Sequence, residues 1–191
     1  MEGEKMFDEG LNRDSIVTKI VGVLCILAAV GGFGVILAGA GFTMFIVVIA
    51  CAAIGLVCFM DLDKDREIFI GALGAVMLAE ILGLFFSDVR TSSSIINVVV
   101  SLLGHGALLL YFLGNRLERN KAIIAGLLIV GDNLWRIITL CTLLSVANNS
   151  ILGGAISESA IRAAALGSAV CIVPALAVTI LLFAGVLDYG N

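Results

Sequence analysis

Four ionisable side chains, Glu80, His105, Asp132 and Arg136, stand inside long apolar runs of this 191-residue chain. A charge at a bilayer centre costs roughly 2.5 to 3.5 kcal/mol on insertion scales unless it faces protein or water, so such residues mark ion pairs or pathways. Counting about 1.5 Å per helical residue puts His105 and Asp132 near the middle of their runs, with Glu80 and Arg136 closer to one and the same face. Similar depth makes Glu80 and Arg136 candidate partners across two helices. Asp132 and Arg136 are four residues apart on a face that Thr139 extends, so an ion pair within one helix competes for the same guanidinium. Asn97, Ser101 and His105 also recur every four residues, a second polar stripe running from the outer end of its helix to the middle. At the outer mouth Glu158 and Arg162 form another four-residue pair, beside Asn148 and Asn149.

Two kinds of chemistry suit this set. The charges can neutralise one another and lock helices in register. Alternatively they line a hydrated pocket, in the outer half of the third to fifth helices, that binds a small polar solute or ion or relays protons. Histidine is the residue type that titrates near neutral pH, so His105 is the natural gate of such a relay.

Enzymatic readings fare worse. Ser101 and His105 have the types of a nucleophile and a base, but one helix turn points both the same way and no third group is identifiable to orient the base. Only one histidine is present, too few for a zinc site or for bis-histidine haem ligation. Cys25, Cys51, Cys58, Cys141 and Cys171 lie in apolar runs without metal-ligand spacing and read as small packing residues. Phosphate-binding glycine loops follow strands, and no strand pattern is visible. The expectation is a non-enzyme without metal or cofactor.

The elements that position these residues follow from composition. Hydrophobic residues make up 61% of the chain, and the 22 glycines raise the apolar share to about 73%, well above the roughly 45 to 50% of soluble domains. Charged residues are 14% and the mean hydropathy is +1.17. Soluble folds, disordered tails and nucleic-acid modules are excluded together. Six apolar runs emerge, at 16–38, 42–60, 68–86, 95–113, 122–146 and 160–187, flanked by an acidic tail (1–15) and a short C-terminal tail (188–191). Backbone groups must be satisfied internally in lipid, and runs this long and evenly apolar are helices rather than barrel strands. Ala38-Gly39-Ala40 matches a signal-peptide cleavage pattern, but the preceding run is too long and its flank acidic, so it reads as a true span.

The predicted fold is therefore an all-α integral membrane protein, with six transmembrane helices in one compact bundle. Of eleven basic residues, eight (Lys5, Arg13, Lys19, Lys64, Arg66, Arg116, Arg119 and Lys121) fall on the side of both termini, which the positive-inside rule makes cytoplasmic. Glycine and alanine inside the spans (Gly31, Gly32, Gly34, Gly71, Gly74, Gly83, Ala163, Ala164, Gly167) predict close helix packing, and Pro174 predicts a static bend in the sixth span. Residues 66–71 and 120–126 echo each other weakly, as chance similarity between apolar segments allows. The three-hairpin layout is similar to that of several small six-span families, vitamin-uptake S-components among them, but carries no motif of theirs. The first two spans hold almost nothing polar beyond Thr43, so they are expected to face lipid, a second copy or a membrane partner. The function expected is that of a small transporter or channel-like protein of the cell membrane. The alternative is a non-catalytic accessory subunit of a larger membrane complex.

Overall fold

A computed structural model describes residues 10–39, 41–62, 64–86, 92–114, 118–149 and 158–188, with the side chains of 92–94, 146–149, 158, 160 and 188 outside the description. In chain order these form a two-residue strand β1 (Gly10–Leu11), helices α1 (Ile16–Leu37), α2 (Thr43–Phe59), α3 (Asp65–Phe86), α4 (Ser92–Phe112), α5 (Arg119–Asn149) and α6 (Glu158–Phe183), and a second short strand β2 (Leu187–Asp188). Five of the helices are long and apolar enough to cross a membrane, while α2, with 17 residues, is a shorter apolar helix.

Local signals set the boundaries. Ser15 caps α1, its hydroxyl accepting from the Val17 amide at 3.2 Å. Asp65 and Glu67 place negative charge in the first turn of α3, where the helix dipole favours it. Apolar runs stop at the first charged or polar residue, but helical hydrogen bonding does not, so α3, α4 and α5 start three residues earlier than their runs. The sixth helix departs from the prediction at its other end. It stops at Phe183 rather than continuing to Leu187, because Gly185 takes a φ of +69° and turns the chain. Leu187 is then buried in β2, which pairs antiparallel with β1, Leu11 opposite Leu187. The two ends of the described chain are thereby joined at one end of the bundle.

Consecutive helices pack side by side, and α6 returns to α1 to close the ring while also touching α2 and α3. The larger core cluster, including Phe69, Leu73, Leu108, Phe112, Ile129, Leu181 and Leu187, fills the end where the termini meet. There Phe69 stacks on Phe112 at a centroid distance of 5.4 Å. A smaller cluster built on Ala29, Met44, Val47, Cys51 and Val170 joins α1, α2 and α6.

The same end is fastened three times by one device. Arg13, just before α1, donates from Nε to the Val57 and Met60 carbonyls at 3.3 and 3.1 Å. Arg66, in the first turn of α3, donates to the Phe112 carbonyl at 2.6 Å. Arg119, the first residue of α5, donates to the carbonyls of Leu182 and Phe183. Each arginine opens the first helix of a hairpin and satisfies free carbonyls at the end of the second, where a cation also complements the helix dipole. Positions 13, 66 and 119 are evenly spaced, 53 residues apart. Gly114 and Gly185, both with positive φ, sit against the Arg66 and Arg119 guanidinium groups, leaving room for the approach.

Close packing uses mostly different glycines from those expected. A Cβ on Gly55 would meet the Gly22 carbonyl oxygen at 3.2 Å, and one on Gly104 would meet that of Ala125 at 2.7 Å. Gly126 lies against Thr179, and Gly32 against Val48 and Val170. Gly31, Gly34, Gly71, Gly74 and Gly83 face open space, a correction to their expected role. Pro174 stands inside a continuous α6. It leaves the Val170 carbonyl without its helical donor, and the Cys51 thiol occupies that oxygen at 3.9 Å.

Candidate functional site

An open cavity of about 890 Å³ occupies the end of the bundle away from the paired termini. Its floor is reached by Glu80 from α3 and Arg136 from α5, and its rim includes Gly39 and Gly41 of the α1–α2 turn and Asn97 near the start of α4. Hydrophobic pressure explains neither the void nor the charged groups on its mostly apolar wall, since a packed apolar filling was available to a sequence this rich in Leu, Val and Ile.

Three of the predicted residues, Glu80, Ser101 and His105, form a continuous polar line beside this cavity. The Ser101 hydroxyl donates to Glu80 Oε1 at 2.7 Å, joining α4 to α3. His105 Nδ1 lies 2.9 Å from the Ser101 carbonyl, an acceptor only, so Nδ1 carries the proton. Ser101 and His105 are enclosed, at 0% and 1% exposure. Glu80 Oε2, His105 Nε2 and Arg136 Nε are buried without a hydrogen-bond partner among the described residues. Arg136 pairs within its own helix, Nη2 to Asp132 Oδ2 at 2.8 Å. Of the two partners open to Arg136 on spacing, the structure thus selects Asp132, and Glu80 takes Ser101 instead.

No family model, curated protein or solved structure matches this chain.

Asn97 and Thr139 both line the cavity, the latter with its hydroxyl bonded back to the Trp135 carbonyl at 2.9 Å. Arg162 is exposed near the start of α6, whereas the side chains of Glu158, Asn148 and Asn149 lie outside the described residues. On sequence, helices three, four and five are expected to enclose the polar interior; they do carry Glu80, Asn97, Arg136 and Thr139, but they do not enclose it alone. All six helices contribute to the wall, with Met44 and Val47 from α2 and Gly167, Ser168 and Cys171 from α6. The physical reason is the ring, which leaves α1, α2 and α6 opposite α3 to α5 across the same space.

Ser168, Cys171 and Trp135 are lining residues that polarity alone did not mark. A signal existed in α6, where Ala164, Ser168 and Cys171 stand four and three residues apart and so share a face. Asn133, 3% exposed, is a further buried polar residue of α5; its amide donates to the Ile129 carbonyl at 2.9 Å. Among the described residues no group of three or more His, Cys, Asp or Glu converges as metal ligands.

Proposed function

We propose that this protein is a small transporter or channel-like protein that admits a small polar solute or ion to the cavity. The observation that carries the reading is a void of about 890 Å³ in an otherwise apolar bundle, with Glu80 and Arg136 on its wall. That volume lies within the roughly 300 to 1,000 Å³ of small-ligand sites. A structural lock needs no space beside it, and a dry apolar filling would have been more stable than a half-satisfied polar wall.

The reading includes a full topology of six spans, α2 being within the roughly 17 to 25 residues that suffice for a crossing. Both termini are cytoplasmic, because eight of eleven basic residues collect at their end. The cavity then opens outward from the cell membrane. The apolar outer face of α1, with Ile20, Leu27, Val30 and Phe33 exposed, contacts lipid, a second copy or a membrane partner. No catalytic step is assigned.

Thiol labelling tests the cavity. In a cysteine-free background, Asn97→Cys and Ser168→Cys are expected to react with a small impermeant reagent added outside intact cells. Leu103→Cys, at a position 70% exposed on the outer surface of α4, is expected to be shielded by lipid. Equal inertness at all three positions would remove the cavity reading and leave the accessory-subunit reading, in which the charges are structural.

A further inference from the structure

The charge around the cavity does not balance. Two carboxylates, Glu80 and Asp132, face one guanidinium, Arg136, which Asp132 holds at 2.8 Å. Among the described residues, the remaining titratable groups beside Glu80 supply no second cation. His105 on α4 is separated from Glu80 by Ser101 and donates its Nδ1 proton to the Ser101 carbonyl, and Cys171 on α6 is a thiol. Ser101 offers Glu80 a neutral hydrogen bond, and Oε2 is buried with no hydrogen-bond partner among the described residues. An unpaired carboxylate taken out of water is strongly disfavoured and is relieved by a proton or by a cation.

Building on the solute-cavity reading, we propose that Glu80 is a cation-binding and proton-exchanging residue, and that the ligand is a small organic monocation of the amine or onium class. The cation enters the cavity that Glu80 lines, and a turn of the Glu80 side chain brings Oε2 from its buried position to the cation as the carboxylic acid releases its proton to cavity water. One positive charge enters and one leaves, so the buried charge is unchanged. The apolar lining of Met44, Val47 and Val98 favours a cation with an apolar body over a bare alkali ion, whose hydration shell this wall cannot replace. Trp135 at the wall is the ring type that holds cations best.

The test uses the full-length protein in membrane vesicles, with tetraphenylphosphonium and methylammonium as cation probes and benzoate as the anion control. A hydrophobic carbodiimide, which reacts with protonated carboxyls, is expected to modify Glu80 at mildly acidic pH, as mapped by peptide mass spectrometry. Either cation should reduce that modification several-fold and benzoate should not. Cation binding should weaken as pH falls, because protons compete for the same oxygen. Glu80→Gln keeps the acceptor for Ser101 and should retain the thermal stability of the wild type while losing cation binding and the accompanying proton release.

Cation binding undiminished in Glu80→Gln, protection by benzoate, or a Glu80 inert to carbodiimide would each overturn the proposal. Benzoate binding with reactive cavity cysteines would leave the solute cavity standing with the opposite charge preference. Inert cavity cysteines would take both readings down together.

Discussion

At the scale of single residues, the decisive competition is for the Arg136 guanidinium. An i,i+4 carboxylate on the same helix reaches it without any tertiary adjustment, whereas Glu80 must come from another helix and already has Ser101 at 2.7 Å. Removing one member of a buried pair leaves an uncompensated charge and typically costs about 3 to 5 kcal/mol. The Asp132 side chain is 9% exposed and that of Arg136 30%, so the cost of Arg136→Met is expected at the lower end of that range. Adding Asp132→Asn should recover much of the loss, while adding Glu80→Gln should recover less. Thermal unfolding of the wild type, the three single variants and the two double variants in detergent gives the coupling energies. A larger coupling for Glu80 than for Asp132 would contradict the observed pairing.

At the scale of helices, two devices hold neighbours together, and each has a variant that isolates it. Gly104 marks the crossing of α4 and α5, where a Cβ would lie 2.7 Å from the Ala125 carbonyl oxygen, a backbone atom that cannot swing away. Gly104→Ala is expected to cost about 1 to 3 kcal/mol by forcing the helices apart. Gly74→Ala, in open space on α3, should be neutral or stabilising by up to about 1 kcal/mol through helix propensity. Melting temperatures measured side by side separate packing from propensity. The arginine fastenings form the second device. Arg66→Ala leaves the Phe112 carbonyl without its donor and removes a charge from the α4 C-terminus, so a loss of about 1 to 2 kcal/mol is expected. Arg66→Lys should recover part of it, since the charge returns without the planar fork. Arg66 and Arg119 serve different hairpins, so their losses should add in the double variant.

At the scale of the molecule, the two ends of the bundle are built for different purposes. One end joins β1 to β2, carries the larger core and is fastened by Arg13, Arg66 and Arg119. Arg13 adds ion pairs to Asp61 and Asp65 at 2.8 and 3.0 Å. The other end holds the cavity. Both the fastenings and the positive-inside rule draw on the same arginines, so topology and closure are coupled through shared residues. A cysteine at Lys64 in a cysteine-free background is accordingly expected to stay unlabelled by an impermeant reagent outside intact cells and to react once the membrane is permeabilised. Labelling from outside would invert the orientation.

What the sequence determined by itself was the class of solvent, the number of helices and the identity of the charged residues within them. These follow from quantities local to each segment: the length of an apolar run, the cost of a charge in hydrocarbon and the four-residue return of a helix face. The Asp132–Arg136 pair was legible for the same reason, being contained in one turn. The Glu80–Ser101 bond was not, because its partners are 21 residues apart on different helices and nothing in either segment encodes their rotation about the helix axes. The same holds for the packing glycines, where Gly104 and Gly74 are indistinguishable until a neighbouring helix is placed against one of them. The even spacing of Arg13, Arg66 and Arg119 stood in the chain throughout. Only the antiparallel pairing within each hairpin, by bringing the last turn of the second helix beside the first turn of its partner, gave those three guanidinium groups carbonyls to bind, and only the packing of all six helices set the cavity beside Glu80.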